Sequence, residues 1–528
     1  MTEVISRDIK LNLNDGTNLI SRIWHPEEGG PWPAILMRQP YSREIASTIT
    51  YLHPSCWARQ GFLVVIQDVR GQGGSEGCFQ GFAQESSDTT QTHRWVRSLP
   101  ECNGMLGTYG FSYQGLTQLL AESGAEPPTC LAPAMTGLDE GSHWSCEGGA
   151  YWWHIGLAWG LQLAAQKAKR EEDFNAWDEI RSSLENQTYL RNGESLLKKY
   201  DPEGMAMKWL NISNKKIQRW KKYIPLNEWI KRPMLLIGGW WDPHLIGILD
   251  IYQKSLLAGG NPEIYIGPAT HLHWWEGAQD ILLKFFKKHL HQKYQPDKNI
   301  NRPIIWNLTE KEWFNSRTNL ETYKWYLSGK GNACLDSKDG SLRTFSEKEE
   351  NQIIVHDPWR PVPAIGGHLS PSPGEADRMQ IDKRSDVALF TSMPFTSRTR
   401  IEGKPKLSIK VSSDQKGFDL CAAISKVDPL NSKAMQLSTG FMRIVGDNAK
   451  LLLKRELNFQ PFFADFLEGE FLRLSISCSA WPAISINTGN PKISPGPPSA
   501  FCNVITLKLQ LFKSKLEIYP LFPQEDFQ

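Results

Sequence analysis

Long apolar runs are missing from this sequence of 528 residues. A helix that crosses a bilayer needs roughly 18 or more consecutive apolar residues, and no window of the chain approaches that length. The first residues, Met1–Asp8, mix charged and apolar side chains where a secretory signal peptide requires an apolar core. We therefore expect a protein without a membrane partner, and the cytoplasm is its default location.

An excess of charge of one sign is also missing, because 59 basic residues stand against 57 acidic ones and the net charge is +2. Binding to nucleic acid or to an anionic membrane uses a strong positive field, so both are excluded as expected partners. A neutral or weakly charged small molecule suits this balance better. Whether the chain forms a homo-oligomer is left open.

Cysteines spaced as in a metal site are missing too. The nine cysteines are scattered, odd in number and never arranged as C-x-x-C. This pattern predicts neither a zinc site nor a disulfide framework, and reduced thiols in the core are the expected state. We expect no metal and no organic cofactor.

What the sequence does contain is a series of short, continuously apolar runs separated by helical stretches. Such runs are typical of parallel strands that are buried on both faces of a sheet. Together with the helical stretches they predict a doubly wound α/β sheet. The five clearest runs are Ala34–Met37, Phe62–Ile66, Met105–Tyr109, Met234–Ile237 and Ile264–Ile266.

Two further regions have other patterns, so more than one domain is expected. Residues 146–230 are helical and rich in Trp, Lys and Glu, which indicates a helical cap inserted between two strands. From residue 369 onward an alternation with a period of two predicts an all-β sandwich or jelly roll of the galactose-binding-like kind. Residues 1–145 and 231–368 then form the α/β domain, and the proline-rich stretch 357–367 is the expected joint.

Five apolar runs each end in a polar residue with chemical capability. In open parallel sheets, functional groups collect just past the carboxyl ends of the strands. This convergence is the main argument for a catalytic site at that edge of the sheet. The five residues are Tyr41, Asp68, Ser112, Asp242 and His271.

The segment Gly107–Gly115 places Ser112 between a strand and a helix. A nucleophile elbow needs small residues on either side of the serine, because the chain reverses so tightly that side chains would collide. The spacing here is one residue longer than the common G-x-S-x-G, and a serine that only caps the helix is the alternative. We interpret Ser112 as a nucleophile.

A serine nucleophile needs a base and an acid, which follow it in α/β-hydrolases in the order Asp or Glu, then His. Asp242 follows one apolar strand and His271 follows the next, so both stand where this order requires. Two alternatives remain open. Asp242 followed by Pro243 is also a turn signal, and His244 or His273 could be the base.

The oxyanion that forms on a carbonyl during attack must meet preorganised hydrogen-bond donors. The backbone N–H of Tyr113, directly after the nucleophile, is the first candidate. Tyr41 offers a phenol as the second, although a tyrosine after a strand is more often a packing residue. Tryptophan usually packs but also lines apolar pockets, so Trp240 and Trp241 beside Asp242 are candidates for the substrate pocket.

Seven motifs along the chain share the pattern of one family: Pro40–Tyr41, Gln67–Gly77, Gly107–Gly115, Gly238–Asp242, Ile266–His271, Asp357–Pro363 and Arg384–Ser392. With them the sequence resembles the cocaine-esterase-like hydrolases, a family that also holds bacterial X-Pro dipeptidyl-peptidases, α-amino acid ester hydrolases and glutaryl-cephalosporin acylases. The likeness extends over nearly the whole chain.

The resemblance implies a hydrolase domain, a helical cap inserted in it and a C-terminal jelly roll. The resemblance also implies that Ser112 is the nucleophile and that Asp242 and His271 are its partners. The hydroxyl of Tyr41 and the backbone N–H of Tyr113 become the oxyanion hole.

The resemblance also bears on residues around the site. It implies that Asp68 and Arg70 belong to a structural turn with a buried ion pair, and that His244 lines the acyl pocket. The sequence departs from the family at Ala269, where Trp is usual, and at Leu272, where a small residue often follows the histidine.

We therefore predict a serine hydrolase that cleaves a carboxylic ester or an acyl-amide through an acyl-enzyme. An X-Pro dipeptidyl-peptidase for short peptides is the first alternative, but it needs an acidic grip on a free N-terminus that we cannot place. Residues 243–245 include no carboxylate, which argues against an α-amino acid ester hydrolase. A non-enzymatic carbohydrate- or protein-binding module is the second alternative.

Overall fold

The computed structural model describes residues 3–45, 50–213, 220–291, 302–316, 321–347 and 350–522. These residues form two large β-sheets, of which the first is flanked by helices. Residues 214–219 of the expected cap and residues 523–528 of the expected jelly roll lie outside the described residues.

The described strands up to Asn315 build one large sheet, apart from a short hairpin formed by β7 and β8. They are β1 (Val4–Asn12), β2 (Asn18–Pro26), β3 (Trp32–Gln39), β4 (Leu63–Asp68), β5 (Cys102–Phe111), β6 (Cys130–Ala134), β7 (Cys146–Glu147), β8 (Ala150–Tyr151), β9 (Leu235–Trp241), β10 (Glu263–Thr270), β11 (Ile304–Asn307) and β12 (Glu312–Asn315). The order across the sheet is β1-β2-β4-β3-β5-β6-β9-β10-β11-β12. The strands from β4 to β11 in this order pair in parallel, and the outer strands pair antiparallel.

The helices are α1 (Pro54–Ala58), α2 (Glu85–Ser98), α3 (Tyr113–Thr117), α4 (Trp153–Arg170), α5 (Phe174–Glu185), α6 (Tyr189–Tyr200), α7 (Met205–Ser213), α8 (Asn227–Ile230), α9 (Leu245–Leu257) and α10 (Ala278–Phe286). Short 3-10 turns cover Arg43–Ile45, Gly81–Gln84 and Asp447–Lys450, and a π-helical turn at Lys287–His291 extends α10.

Helices cover both faces of the first sheet. In β3, Ile35 packs in one apolar cluster with Trp57 of α1 and Phe286 of α10. The next residue, Leu36, packs in a different cluster with Val96 of α2. Because successive side chains of a strand point to opposite faces, the predicted doubly wound α/β arrangement is confirmed.

Helices α4 to α7 pack against one another in the region that we expected to form a cap. Their inward side chains, which include Leu157, Ile180, Leu197 and Met207, are buried in one apolar cluster. Gly160 lets α4 and α7 approach closely, since a Cβ there would lie 2.4 Å from the Cβ of Ala206. Within the described residues, no helix is both long and apolar enough to span a bilayer.

The second sheet is built from the remaining strands: β13 (Tyr323–Ser328), β14 (Ser341–Arg343), β15 (Asn351–His356), β16 (Ala388–Ser392), β17 (Thr399–Ser413), β18 (Gly417–Asp428), β19 (Lys433–Val445), β20 (Leu453–Asn458), β21 (Phe462–Phe466), β22 (Phe471–Ser477) and β23 (Ile505–Pro520). Their order is β19-β18-β22-β16-β14-β13-β23-β17-β20, with β15 on β23 and β21 on β17. The all-β class of this part is confirmed, and its jelly-roll connectivity stays a prediction.

The start of the all-β part differs from our expectation. Strands β13, β14 and β15 precede residue 369 and nevertheless pair within the second sheet. The boundary at 368/369 is therefore wrong, because the described strands pass from the first sheet at Asn315 to the second at Tyr323. The proline-rich stretch packs on this second unit, where the N–H of Ala364 donates to the carbonyl of Trp481 at 2.8 Å.

The second sheet also contacts the chain that leads into α4. The N–H of Arg443 in β19 donates to the carbonyl of Gly148 at 2.9 Å. The ring of His368 bonds to the carboxylate of Glu147 at 2.6 Å. These contacts join the all-β part to the hairpin of β7 and β8, which leads into α4.

Candidate active site

Ser112 lies at the sharp turn between β5 and α3, with a φ of 59° and a ψ of −127°. A positive φ is unfavourable for a residue with a side chain, and roughly 1–3 kcal/mol of strain is typical. The N–H of Ser112 donates to the carbonyls of Ala134 and Met135, each at 3.0 Å, and so holds the turn. With 7% of the residue exposed, Ser112 has the setting of a nucleophile elbow.

The glycines beside Ser112 are needed for steric reasons. A Cβ on Gly110 would lie 2.4 Å from the Cβ of Gln114, and one on Gly115 would lie 2.8 Å from the Cβ of Thr136. Gly110 also has a φ of 143°, which L-residues rarely adopt. The prediction that this turn requires small residues is confirmed, with the second glycine three positions after the serine.

Asp242 and His271 follow neighbouring parallel strands, β9 and β10, and they contact each other. Oδ2 of Asp242 lies 2.5 Å from Nδ1 of His271, while Oδ1 accepts the backbone N–H of His244 at 2.8 Å. A carboxylate only accepts hydrogen bonds, so in the neutral ring the proton of His271 is on Nδ1. Nε2 is then the free basic nitrogen that a general base requires.

The three histidines that we considered for the base differ in their partners. The ring of His244 bonds through Nδ1 to the carbonyl of His143 at 2.6 Å. His273 is exposed. His271 is the histidine whose ring meets Asp242, and 27% of its side chain is exposed. The geometry favours His271 over the other two.

The ring of His271 also lies beside the elbow. Its centroid is 5.2 Å from that of Phe111, the residue before Ser112. Among the described residues, the hydroxyl of Ser112 makes no hydrogen bond to His271. Catalytic hydrogen bonds are often long in ligand-free structures and shorten when substrate binds.

Tyr113, the first residue of α3, supplies one candidate donor for an oxyanion. Its N–H has no carbonyl one turn earlier to bond with, as at any helix start. Its side chain is anchored below the elbow, where the hydroxyl donates to Glu85 at 2.8 Å and the ring stacks on Phe82 with centroids 4.5 Å apart. The backbone after Ser112 is therefore held rigidly.

Tyr41 supplies the other candidate donor. Its backbone N–H donates to Oε1 of Gln39 at 3.1 Å, and its phenolic oxygen accepts the indole N–H of Trp159 at 2.9 Å. Burial raises the pKa of Tyr41 to about 12, against the smaller opposite effect of the Trp159 hydrogen bond. The phenol therefore keeps its proton at neutral and mildly alkaline pH.

Asp68 and Arg70 form ion pairs, as the resemblance implied, and each has a different partner. Asp68 is fully buried and binds Arg43 through its side chain at 2.7 Å, which fixes the loop that carries Tyr41. Arg70 binds Asp88 at 2.7 Å. Both residues stabilise turns, and neither contacts Ser112 or His271.

The two tryptophans next to Asp242, which we expected in the substrate pocket, have different surroundings. Trp240 is 3% exposed, and its indole N–H donates to the carbonyl of Trp306 at 2.8 Å, which places it in the core. Trp241 is partly buried at the end of β9, opposite Thr270. The described contacts do not bring either ring to Ser112 or His271.

His244 does lie at the site. Its ring is buried, 5.0 Å from His271 and 4.5 Å from Trp144 between ring centroids. Burial lowers the pKa of His244 to about 4, so the ring is neutral at pH 7. It forms a polar but uncharged part of the wall, and its place in an acyl pocket stays a prediction.

Sequence reasoning missed the aromatic residues that surround this part of the site. Trp144, Trp159 and Trp209 pack in one cluster, with Trp159 stacked on Trp209 at 5.4 Å. The 21 tryptophans of the sequence were a signal, but their number did not say which rings lie beside His244 and Tyr41. Gln460, whose Nε2 donates to the carbonyl of Asp242 at 2.7 Å, gave no signal, since it lies 218 residues away in sequence.

The two departures from the family pattern have different surroundings. Ala269 is completely buried, and its carbonyl would lie 2.4 Å from a Cβ on Gly239, so β9 and β10 approach closely there. Leu272, directly after the candidate base, is 44% exposed. Within the described ranges, no group of three or more His, Cys, Asp and Glu residues is arranged to hold a metal ion.

Comparison with known proteins agrees with this fold. Residues 15–273 match the family model of X-Pro dipeptidyl-peptidase (S15 family), and residues 286–503 match that of the X-Pro dipeptidyl-peptidase C-terminal non-catalytic domain. A cocaine esterase from Rhodococcus sp. (strain MB1 Bresler) is 25% identical over 484 residues, which are 83% of each chain.

Solved structures share the fold over nearly the full length. An aminopeptidase from a marine sediment archaeon (Thaumarchaeota archaeon) has a TM-score of 0.72 at 18% identity, covering 98% of this chain and 96% of its own. An α-amino acid ester hydrolase has a TM-score of 0.71 at 16% identity, covering 98% and 97%. A CocE/NonD family hydrolase from Staphylococcus aureus also has 0.71 at 16% identity, covering 98% and 94%.

The fold and the family matches define a serine hydrolase of the α/β-hydrolase class. More closely, the chain belongs to the family of X-Pro dipeptidyl-peptidases and cocaine-esterase-like hydrolases, enzymes that act on esters or peptides. A non-enzymatic binding module, the second alternative from sequence, is thereby set aside.

Proposed function

We propose that this enzyme cleaves a carboxylic ester or acyl-amide through an acyl-enzyme on Ser112. The observation that carries the proposal is the 2.5 Å bond between Asp242 and Nδ1 of His271, whose ring lies 5.2 Å from that of Phe111, the residue before Ser112. Since Nδ1 is occupied, Nε2 is the nitrogen that takes the serine proton.

In the proposed reaction, Nε2 of His271 removes the proton as the Ser112 oxygen attacks the substrate carbonyl. Asp242 stabilises the imidazolium that forms. The oxyanion is bound by the Tyr41 hydroxyl and the Tyr113 N–H, and His271 then returns the proton to the leaving group. Water repeats these steps on the acyl-enzyme.

We further propose that residues 146–230 act as a cap over this site. The support is the contact between Trp159 of α4 and Tyr41 of the α/β domain, two residues 118 positions apart. A cap that touches an oxyanion donor encloses the acyl side of the cleft and keeps water out.

The test of the nucleophile is covalent labelling with a fluorophosphonate. We expect wild-type protein to be labelled at Ser112 and the Ser112→Ala variant to stay unlabelled while it remains folded. Ser142→Ala, a change at an exposed serine, is the matched control and should label as the wild type does. Labelling of the folded Ser112→Ala variant would refute the proposed nucleophile.

An ester or acyl-amide is proposed ahead of an X-Pro peptide because two carboxylates near the cap are already engaged. Glu140 accepts hydrogen bonds from Tyr223 at 2.6 Å and Trp209 at 3.0 Å. Glu147 binds His368 at 2.6 Å. A dipeptidyl-peptidase needs a carboxylate that is free to bind the substrate ammonium.

The dipeptidyl-peptidase activity is kept as second candidate, because the matched family model carries that description. Turnover of short p-nitrophenyl esters should exceed turnover of Ala-Pro and Gly-Pro anilides. The reverse order would make the peptidase the better assignment.

For the setting of the enzyme, we propose a reducing compartment such as the cytoplasm. The nine cysteines are present as free thiols, and five of them are buried. Growth of cells that express a tagged chain, followed by fractionation, would test this location. The oligomeric state is a separate question, answered by light scattering of the purified protein.

A further inference from the structure

Trp159 lies in the middle of α4, and its indole N–H reaches the phenolic oxygen of Tyr41 at 2.9 Å. This bond connects the proposed cap to the loop after β3. Trp159 is partly buried, and it was not among the residues that the sequence brought forward as functional.

The direction of this hydrogen bond is fixed by chemistry. An indole N–H can only donate, whereas a phenol has one proton to donate and lone pairs that accept. Tyr41 is therefore the acceptor of this bond, and its own proton is not used in it. That proton remains available for a second acceptor.

Accepting a hydrogen bond also strengthens the phenol as a donor, since linked hydrogen bonds polarise one another. Burial raises the pKa of Tyr41 to about 12, and the Trp159 bond acts in the opposite direction, as this polarisation requires. The phenol thus stays protonated at pH 7 and donates more strongly than it would without Trp159.

The indole itself is held in place from several sides. Its ring stacks on Trp209 with centroids 5.4 Å apart and an interplanar angle of 28°, and it contacts Trp144 at 6.2 Å. The indole N–H of Trp144 donates to the carbonyl of Gly137 at 2.8 Å, and that of Trp209 donates to Glu140 at 3.0 Å. Each partner of Trp159 is thereby anchored by a bond of its own.

We propose that Trp159 is a positioning residue for the reaction: its indole N–H occupies a lone pair of the Tyr41 phenol and directs the phenol proton toward the substrate oxyanion. The inference rests on the proposed function, in which Tyr41 binds that oxyanion. It gives the helical segment a part in catalysis, because displacement of α4 would remove the bond that orients the donor.

The experiment is a double-mutant cycle between Trp159→Phe and Tyr41→Phe, with ester hydrolysis as the readout. Tyr41→Phe removes an oxyanion donor and should lower kcat/KM by about 10²–10³. Trp159→Phe keeps a ring in the cluster but removes the N–H, and should lower kcat/KM roughly tenfold. In the Tyr41→Phe background, the same change at Trp159 should have no further effect.

A matched control separates positioning from packing. Trp153→Phe removes another indole N–H from α4, one that donates to the carbonyl of Leu190, so its effect should be equal in both Tyr41 backgrounds. Affinity for phenylboronic acid, which forms a tetrahedral adduct on a catalytic serine, should fall with Trp159→Phe by the same factor as kcat/KM, while KM stays unchanged.

Additive effects of Trp159→Phe and Tyr41→Phe would overturn this inference and leave the proposed hydrolase intact. Full activity of Tyr41→Phe would instead remove Tyr41 from the oxyanion hole and this inference with it. Should Trp159→Phe fail to fold, Trp159→Leu lacks the same N–H and must show the same non-additivity with Tyr41→Phe.

Discussion

The side chain of Gln460 donates a hydrogen bond of 2.7 Å to the backbone carbonyl of Asp242. Gln460 lies between β20 and β21 of the second sheet and is 5% exposed, whereas Asp242 follows β9 of the first sheet and is completely buried. The all-β part therefore contacts the loop that carries the proposed catalytic acid. The family model describes the matching domain as non-catalytic. Through this hydrogen bond it nevertheless influences the position of Asp242 directly.

Replacing Gln460 should test that influence. Gln460→Ala leaves a buried carbonyl without its donor, which costs about 1–3 kcal/mol of unfolding free energy. We expect kcat to fall more than KM rises, because the carboxylate that holds His271 loses a fixed support. Urea unfolding and steady-state kinetics measure the two effects. Gln162→Ala, on an exposed face of α4, is the control, and equal behaviour of both variants would contradict the prediction.

Asp242→Asn tests the tautomer of His271. The amide presents either an N–H group or a single carbonyl oxygen to His271, whereas the carboxylate accepts with both of its oxygens. The proton of the ring is therefore no longer held on Nδ1 of His271. A decrease in kcat of about 10⁴ with an intact fold is expected. Asp250→Asn, at a partly buried position of α9, is the matched control. An Asp242→Asn enzyme with near wild-type kcat would exclude this carboxylate from the mechanism.

The pair Arg38–Glu85 lies below the elbow and is almost fully buried, with 2% and 0% of the side chains exposed. Glu85→Ala leaves a buried guanidinium without its counter-charge and removes the acceptor of the Tyr113 hydroxyl. A loss of about 3–5 kcal/mol in unfolding free energy is expected.

The double variant Arg38→Leu with Glu85→Leu removes both charges at once and should recover a large part of that stability. Denaturant unfolding of the wild type, the single variant and the double variant gives the comparison. A double variant less stable than Glu85→Ala would show that the charges themselves, and not their imbalance, stabilise this region.

The pH dependence of stability should reflect His244. Burial lowers its pKa from 6.5 in the unfolded chain to about 4 in the folded protein. Between these values the unfolded state binds more protons, so stability is fully present above pH 6.5 and is lost as the pH falls toward 4. The difference corresponds to about 3 kcal/mol.

His244→Asn keeps a side-chain N–H for the carbonyl of His143 but does not titrate. Its unfolding free energy should fall less steeply between pH 6.5 and pH 4 than that of the wild type. His273→Asn, at an exposed position, controls for the loss of a histidine as such. Parallel pH profiles of the wild type and His244→Asn would refute the prediction.

Sequence reasoning was most successful where the signal is local. The five apolar runs lie in or overlap strands β3, β4, β5, β9 and β10, because a strand buried on both faces must be apolar at consecutive positions. The elbow could be recognised for the same reason. A Cβ on Gly110 would collide with Gln114, four residues away, and a Cβ on Gly115 would collide with residues at the end of the next strand. Family membership followed from motifs that are themselves short.

Other features depend on residues that the chain brings together only after folding. The segment 323–356 lacks a pattern distinct enough to be assigned by itself, and its strands β13 and β15 pair with β23, between 149 and 195 positions later in the chain. The proline-rich stretch was a plausible joint, but it lies along the second sheet. Trp240 and Trp241 differ in position because neighbouring strand residues point to opposite faces.

By itself, the sequence determined the class of the protein and pointed to the motifs of the proposed nucleophile, acid and base, since each motif consists of residues close together in the chain. The tertiary structure alone decided that the ring of His271, rather than that of His244 or His273, meets Asp242. It also brought Trp159 to Tyr41 and Gln460 to Asp242. The physical reason is that a hydrogen bond requires two atoms within about 3 Å, and for residues 118 or 218 positions apart only the packing of whole domains sets that distance.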